Sequence, residues 1–172
     1  RHAKAILQEA RQELSSEGVA YNPDLKVGSM IEVPSAAVQA DQIAEECDFF
    51  SLGTNDLIQY LLAVDRVNEK IAHLYEPAHP AVIRMIANVS SAAAAHNIPC
   101  SICGEMAGDP LYTELLLGLG VSSFSMASVS IPLIRARIAA LNQEDAKHLA
   151  RNILQKKTAE EIKTILRSRL EG

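Results

Sequence analysis

Four polar side chains stand where short apolar segments end, and their types could do chemistry together. Glu32 ends the apolar run in LKVGSMIEVP, and Cys103 closes IPCSIC. Asn55 and Asp56 follow the segment DFFSLGT. If each segment is a parallel strand, its carboxyl end lies on the functional face of an α/β fold. We therefore expect two carboxylates, an amide and a thiol to meet at one face of a sheet.

The elements that must position these side chains alternate along the chain. Strands are predicted within the segments LKVGSMIEVP, CDFFSLG, IPCSICG and SFSMAS. Pro34 introduces a predicted helix in SAAVQADQIAEEC, and Pro80 opens one in PAVIRMIANVSSAAAAHN. Three helices end the chain, and the last begins with a capping box between Thr158 and Glu161. Strand–helix alternation repeated four times predicts an α/β fold with parallel strands.

Cys103 forms a C-x-x-C pair with Cys100, a spacing found in redox dithiols and in half of a zinc site. On a strand, residues three apart point to opposite faces with Cα atoms roughly 10 Å apart, whereas a disulfide requires less than about 7 Å. A second ligand pair at zinc spacing is absent from the sequence. Alternation places Cys100 on the core face and Cys103 on the other. Residue type alone favours a buried, unreactive thiol for Cys103 as well, and an active-site acid is the alternative.

Glu32 and Asp56 are carboxylates at two predicted strand ends. Either alone would be interpreted as an ordinary loop acid that caps a helix or forms a surface pair. Together they suit Mg²⁺, which usually takes one or two protein carboxylates and leaves its other positions to water and substrate phosphate.

An anion site is predicted beside these carboxylates. In the segment GTND, the backbone N–H groups of Thr54 and Asn55 could face an anion at a helix N-terminus. Arg66 adds a forked cation that suits phosphate or carboxylate, although a surface pair with Asp65 or Glu69 is the alternative. A metal, an anion site, an arginine and a thiol together suggest a particular substrate, a phosphorylated carboxylic acid whose reaction passes through an enolate intermediate.

Composition narrows the class of protein. The 172 residues are 48% hydrophobic, which fits one globular unit, and we treat residues 1–172 as one domain. The net charge is −5 and the 16 Lys and Arg residues are scattered, so a basic nucleic-acid-binding surface is not expected. No apolar run is long enough to span a bilayer, and three cysteines fit a reducing compartment. We expect a cytoplasmic protein without membrane insertion, and a first segment without Met suggests a piece of a longer protein.

Four motifs then resemble a known family. The segments GSMIEVPSAA, DFFSLGTNDLIQYLLAVDRVNEKIAHLYEP, ICGEMAGD and FSMASVSIPLIR occur in this order, and they resemble enzyme I of the bacterial phosphoenolpyruvate:sugar phosphotransferase system. The resemblance extends across essentially the whole chain. It implies a (β/α)8 TIM barrel that binds phosphoenolpyruvate (PEP), with this chain as the second half, strands five to eight plus C-terminal helices.

The resemblance also implies roles for the candidate residues. Glu32 and Asp56 match the family's Mg²⁺ ligands. Asn55, Asp56 and Arg66 match its substrate-binding positions. Cys103 matches the proton donor to the enolate of pyruvate. The sequence departs from the family pattern at Val67, where many members have Gly or another residue. This difference affects the expected shape of the loop around Arg66 and not the assignment of Arg66 itself.

The implied reaction moves the phosphoryl group of PEP to a histidine and releases pyruvate. In the family that histidine lies on a separate N-terminal domain, which passes the phosphoryl group to the histidine-containing phosphocarrier protein and so feeds sugar uptake. None of the five histidines here has the context of the family's phosphohistidine. The family also implies a homodimer.

Other interpretations stay open. Pyruvate phosphate dikinase and phosphoenolpyruvate synthase share the GTND and ICGE elements, although LLAVDR and FSMASVSIP look more like enzyme I. A nitrogen-branch or multidomain enzyme I fits the same motifs. A different class of function is an inert dimerisation module, because half a barrel has two open sheet edges.

Overall fold

The computed structural model describes residues 1–171, and its centre is a four-stranded parallel sheet. The strands are β1 (Ser29–Ile31), β2 (Phe50–Gly53), β3 (Cys100–Cys103) and β4 (Ser123–Phe124). They lie side by side in chain order, and each pairs in parallel with the next. The predicted α/β fold with parallel strands is therefore confirmed.

Helices form every connection between the strands. The α-helices are α1 (His2–Ser16), α2 (Pro34–Val38), α3 (Ala40–Ala44), α4 (Thr54–Leu62), α5 (Pro80–Ala95), α6 (Pro110–Gly118), α7 (Ile131–Ala139), α8 (Gln143–Ile153) and α9 (Ala159–Glu171). Single 3₁₀ turns occur at Ala72–Leu74, Glu105–Gly108 and Ser128–Ser130. Within residues 1–171, no helix has both the length and the apolar character that crossing a membrane requires.

The Ala-rich segment after Pro34 differs from the single helix predicted there, because the backbone breaks at Gln39 into α2 and α3. Asn88 on α5 donates a side-chain hydrogen bond of 3.0 Å to the carbonyl of Ala37, which takes that acceptor out of a continuous helix. Ala37 and Ala40 on either side of the break are both fully buried. The break thus lets both short helices pack against α5.

The other predicted helix starts are confirmed by their capping geometry. Pro80 is the first residue of α5, and the His79 ring accepts a hydrogen bond from the N–H of Ala81. Before α9, the N–H of Glu161 donates to Thr158 Oγ1 at 3.2 Å, and the N–H of Thr158 donates to Glu161 Oε2 at 3.0 Å. This reciprocal pair is the predicted capping box.

The two faces of the sheet have different environments. Side chains on one face are buried under the helices and form the core: Ile31, Phe50, Leu52, Cys100 and Ile102. On the other face, Ser51, Ser101 and Cys103 are half-buried, and the side chain of Met30 is 48% exposed. The face that the helices leave uncovered therefore carries two serines, a thiol and one exposed methionine.

The C-terminal helices attach to α6 through packing and through buried charge. Gly118 lies so close to α8 that a Cβ there would stand 2.0 Å from the carbonyl oxygen of Ala146. Glu114 on α6 is buried and accepts hydrogen bonds from Arg137 on α7 at 3.3 Å and from Nε of Arg169 on α9 at 3.2 Å. One buried carboxylate thus joins three helices.

Candidate active site

A cleft of about 490 Å³ opens at the carboxyl ends of the strands. Its walls come from the ends of β2, β3 and β4: Asn55, Cys103, Gly104, Glu105, Gly108, Ser125, Met126, Ala127 and Ser130. The structure therefore brings together Asn55 and Cys103, as the strand-end positions predict. Glu32, Asp56 and Arg66 stand outside the lining of this cleft, and each is described below.

Cys103 is the last residue of β3 and lies on the face opposite to the core. Its thiol lies 3.4 Å from the carbonyl oxygen of Leu52, to which it can donate, and 3.9 Å from the hydroxyl of Ser51. Cys100 on the same strand is 3% exposed in the core, and burial raises the pKa of its thiol to about 11. The two thiols of the C-x-x-C pattern therefore face different environments, and only Cys103 reaches the cleft.

Gly104 allows β3 to turn tightly into the 3₁₀ turn Glu105–Gly108 while the backbone packs against the start of α4. Its φ is +90°, and a Cβ there would stand 2.6 Å from Thr54 Oγ1 and 2.8 Å from Asn55 Oδ1. Thr54 donates its hydroxyl to the carbonyl of Cys103 at 2.6 Å, and the N–H of Glu105 donates to Asn55 Oδ1 at 3.1 Å. These bonds hold the end of β3 against the first turn of α4. Within residues 1–171 the NH₂ group of Asn55 has no protein acceptor, so its donors are free for a ligand.

Arg66 lies in the loop of residues 63–79, which joins α4 to α5. Its N–H donates to Gln59 Oε1 at 3.1 Å, and its guanidinium lies 3.3 Å from the carboxylate of Glu105. The alternative pairing with Asp65 or Glu69 is wrong, because the ion-pair partner stands 39 residues further along the chain. The Glu105 side chain is 80% exposed, so this ion pair is open to water and to a competing anion.

Glu32 and Asp56 occupy neighbouring strand ends. Glu32 lies across Gly53, where a Cβ would stand 3.0 Å from Glu32 Oε2, and Asp56 is in the first turn of α4. In the described part of the chain, neither carboxylate has a protein hydrogen bond or ion pair. No three His, Cys, Asp or Glu side chains among residues 1–171 are grouped closely enough to hold a metal. Two unpaired carboxylates fit a hard cation that takes its other ligands from water or substrate.

Several residues of the cleft were not predicted from the sequence. Glu105 was not predicted as a site residue, because its position in the sequence suggests a solvent-exposed loop acid. Only the fold brings its carboxylate to Arg66. Ser125 follows β4 directly, so the strand-end rule that selected Cys103 would also have selected it. Tyr75 does not line the cleft, but it contacts a residue that does: its hydroxyl donates a hydrogen bond of 3.4 Å to the backbone carbonyl of Asn55. Burial raises the pKa of Tyr75, which keeps it in the neutral, donating form.

Comparison with known proteins identifies relatives of this chain. The sequence model of the family described as "PEP-utilising enzyme, PEP-binding domain" matches residues 1–143. The phosphoenolpyruvate-protein phosphotransferase of Geobacillus stearothermophilus is 49% identical over 162 residues, which are 94% of this chain and 28% of that protein. The proteins of the same name from Haemophilus influenzae and Bacillus subtilis are 49% and 47% identical over 96% and 94% of this chain. The chain thus spans 28–29% of the length of these relatives. It belongs to the family of PEP-binding domains found in PEP-utilising enzymes.

Proposed function

We propose that residues 1–172 are the C-terminal half of the PEP-binding domain of a phosphoenolpyruvate-protein phosphotransferase, enzyme I. The identity of 47–49% to proteins of that name supports the proposal. So does the sheet, because four parallel strands in chain order with helices on one side are what half of a (β/α)8 barrel contains. In this proposal the four strands are the fifth to the eighth of the barrel.

The proposed enzyme transfers the phosphoryl group of PEP to a histidine elsewhere in the same polypeptide and releases pyruvate. No histidine of the described chain lines the cleft, which agrees with an acceptor outside it. The histidine-containing phosphocarrier protein is the proposed next acceptor, and the cytoplasm is the proposed compartment. The name of the relatives supports transfer from PEP to a protein. The sequence motifs fit a sugar-branch and a nitrogen-branch enzyme I alike.

Asn55 and Arg66 are the proposed contacts to the substrate. The NH₂ group of Asn55 offers two donors, while its oxygen is held by the N–H of Glu105. The guanidinium of Arg66 can exchange the exposed Glu105 carboxylate for a substrate phosphate, which carries more charge and accepts two parallel hydrogen bonds. Glu105 thus orients the arginine until substrate replaces it.

Glu32 and Asp56 are the proposed ligands of Mg²⁺. Asp56, in the first turn of α4 beside Asn55, is also a proposed substrate-binding residue. When bound there, the ion would supply positive charge beside the oxygens of the substrate. The residues themselves contribute two carboxylates that no protein cation neutralises among residues 1–171.

Cys103 is the proposed acid. Transfer of the phosphoryl group leaves the enolate of pyruvate, whose terminal carbon must gain a proton. The S–H bond of Cys103 breaks as the new C–H bond forms, and the resulting thiolate regains a proton from water. The observation that carries this assignment is the position of the thiol, which lies at the end of β3 in the cleft and not in the core with Cys100.

The test is made in the complete polypeptide that contains this chain. Wild type should consume PEP and bind it in a Mg²⁺-dependent manner, as measured by calorimetry. Glu32→Ala should greatly reduce that Mg²⁺ dependence, whereas Glu9→Ala, at an exposed carboxylate on α1, should not. A wild-type protein that neither binds nor consumes PEP would overturn the proposed function. An unchanged Mg²⁺ dependence in Glu32→Ala would overturn the metal assignment alone.

A further inference from the structure

The loop of residues 63–79 touches the candidate site at two points. Near its start, Arg66 faces Glu105, and near its end Tyr75 donates to the carbonyl of Asn55. Between these points the backbone folds through successive turns, with N–H groups bonded to carbonyls three or four residues earlier. Asp65 and Asn68 add side-chain bonds to the backbone N–H groups of Val67 and Lys70. The loop is internally braced, so its position depends on its two anchored ends.

The C-terminal end of this loop is anchored by α9. Lys163 places its ammonium 2.8 Å from Glu76 Oε2, while Glu76 Oε1 accepts from the N–H of Ala78 at 3.0 Å. The side chains of Lys163 and Glu76 are only 23% and 26% exposed, and they join positions 87 residues apart. The neighbouring carboxylate holds the pKa of Lys163 above its usual value, so the cation persists through the neutral range.

The helix that supplies this anchor lies beyond the part of the chain that the family model matches, residues 1–143. It contributes no side chain to the cleft. Its apolar residues Ile162 and Leu166 are buried in the core, which by itself would make α9 a packing element. Lys163 differs from these two residues because its side chain extends away from α9 and its ammonium binds Glu76, the residue that follows Tyr75.

We propose that Lys163 is a positioning residue. Its ion pair with Glu76 holds the end of the 63–79 loop and, through Tyr75, sets the positions of Asn55 and Arg66 for a phosphorylated substrate. The substrate role rests on the function proposed above, whereas the effect on the loop does not. Loss of the pair therefore weakens substrate binding and leaves the acid Cys103 in place.

The experiment uses the complete polypeptide and the variant Lys163→Met, which keeps the aliphatic stem and removes the charge. We expect the KM for PEP to rise about fivefold, the upper end for a partly exposed ion pair, with little change in kcat. Lys163→Arg should restore most of the affinity. Lys147→Met, which removes the Lys147–Glu144 pair on α8, is the matched control and should behave as wild type.

Two further measurements separate positioning from general destabilisation. Glu76→Gln should raise the KM as Lys163→Met does, and the double variant should add little, because both remove the Lys163–Glu76 pair. The second pair of Lys163, with Glu160 at 3.4 Å, lies within α9 and does not reach the loop. Amide hydrogen exchange should speed up in residues 63–79 of Lys163→Met more than in the core strands. Unchanged KM and unchanged loop exchange, or equal changes in Lys147→Met, would overturn the proposal. If wild type fails to consume PEP but amide exchange in residues 63–79 is faster in Lys163→Met, the proposed function is wrong. The proposed role of the Lys163–Glu76 pair in holding the loop would still be supported.

Discussion

At the residue scale, two thiols three positions apart on one strand have different surroundings. The pleat of β3 directs Cys100 into the core and Cys103 to the cleft. A buried thiol resists ionisation and offers no proton to a ligand in the cleft, whereas a thiol at the strand end can reach a substrate carbon. The chemistry proposed for Cys103 therefore depends on strand register as much as on residue type.

The first prediction concerns Cys103→Ala in the complete polypeptide. We expect PEP to bind nearly as in wild type, whereas exchange of pyruvate's methyl hydrogens with deuterated water should fall by about 10²–10⁴-fold, because general acid catalysis is lost. The exchange needs the group that protonates carbon but no net phosphoryl transfer. Cys100→Ala is the control and should retain exchange. Exchange at the wild-type rate in Cys103→Ala would show that Cys103 is not the proton donor.

The second prediction concerns pH and Cys100. Its pKa is raised from 9.0 to about 11 by burial, so the unfolded chain loses this proton at lower pH than the folded chain does. Stability from this group is complete below about pH 9 and is lost as the pH rises toward 11. By pH 10.5 the loss should be about 2 kcal/mol. Urea unfolding of wild type and Cys100→Ala at pH 8 and pH 10.5 measures it, and an equal decline in both proteins would contradict the assignment.

At the element scale, the connection from β3 to the following turn positions the site. Gly104 has φ +90° and ψ −176°, a conformation that residues other than glycine rarely adopt. The absence of a Cβ also allows Thr54 and Asn55 to approach and to bond to the backbone on either side of it. Backbone strain and close approach coincide at this one position.

The third prediction compares this position with a glycine that has positive φ but open surroundings. Gly104→Ala should lower the free energy of unfolding by about 2–4 kcal/mol, since it adds a steric clash to an unfavourable backbone conformation. Gly18→Ala also has positive φ, +71°, but nothing lies within 4 Å of its Cβ position, so it should cost about 1 kcal/mol. Urea denaturation of both variants provides the comparison. Equal losses would contradict the extra cost expected at Gly104 from its backbone conformation and its contacts with Thr54 and Asn55.

Local patterns predicted the elements more completely than they predicted the site. Period-two alternation identified the core face of β3, and the capping box identified the start of α9. The Ala-rich helix was wrong because Asn88, far away in the chain, takes the carbonyl of Ala37. The partners Glu105 of Arg66 and Glu76 of Lys163 were not predictable, since tertiary packing selects them across 39 and 87 positions.

At the scale of the whole molecule, the sheet has two open edges. β1 and β4 each pair with only one neighbour among the described residues. Beside β4, an apolar groove of about 530 Å³ runs along α7 and is lined in part by Phe124, Ile131 and Ile138. At the other edge, α1 buries none of its side chains. Unpaired strand edges and exposed apolar surface favour association with another chain.

The last prediction follows from these surfaces. The isolated chain of residues 1–172 should self-associate, and sedimentation velocity over a range of concentrations should show a dimer or larger species. Ile131→Lys should weaken that association, because it brings a charge into the groove beside β4, where Ile131 is 50% exposed. Val129→Lys adds the same charge two positions earlier, outside the lining of the groove, and should leave association unchanged. A monomer at all concentrations that binds no hydrophobic dye would contradict the prediction. Equal weakening by both variants would instead assign the effect to net charge and not to the groove.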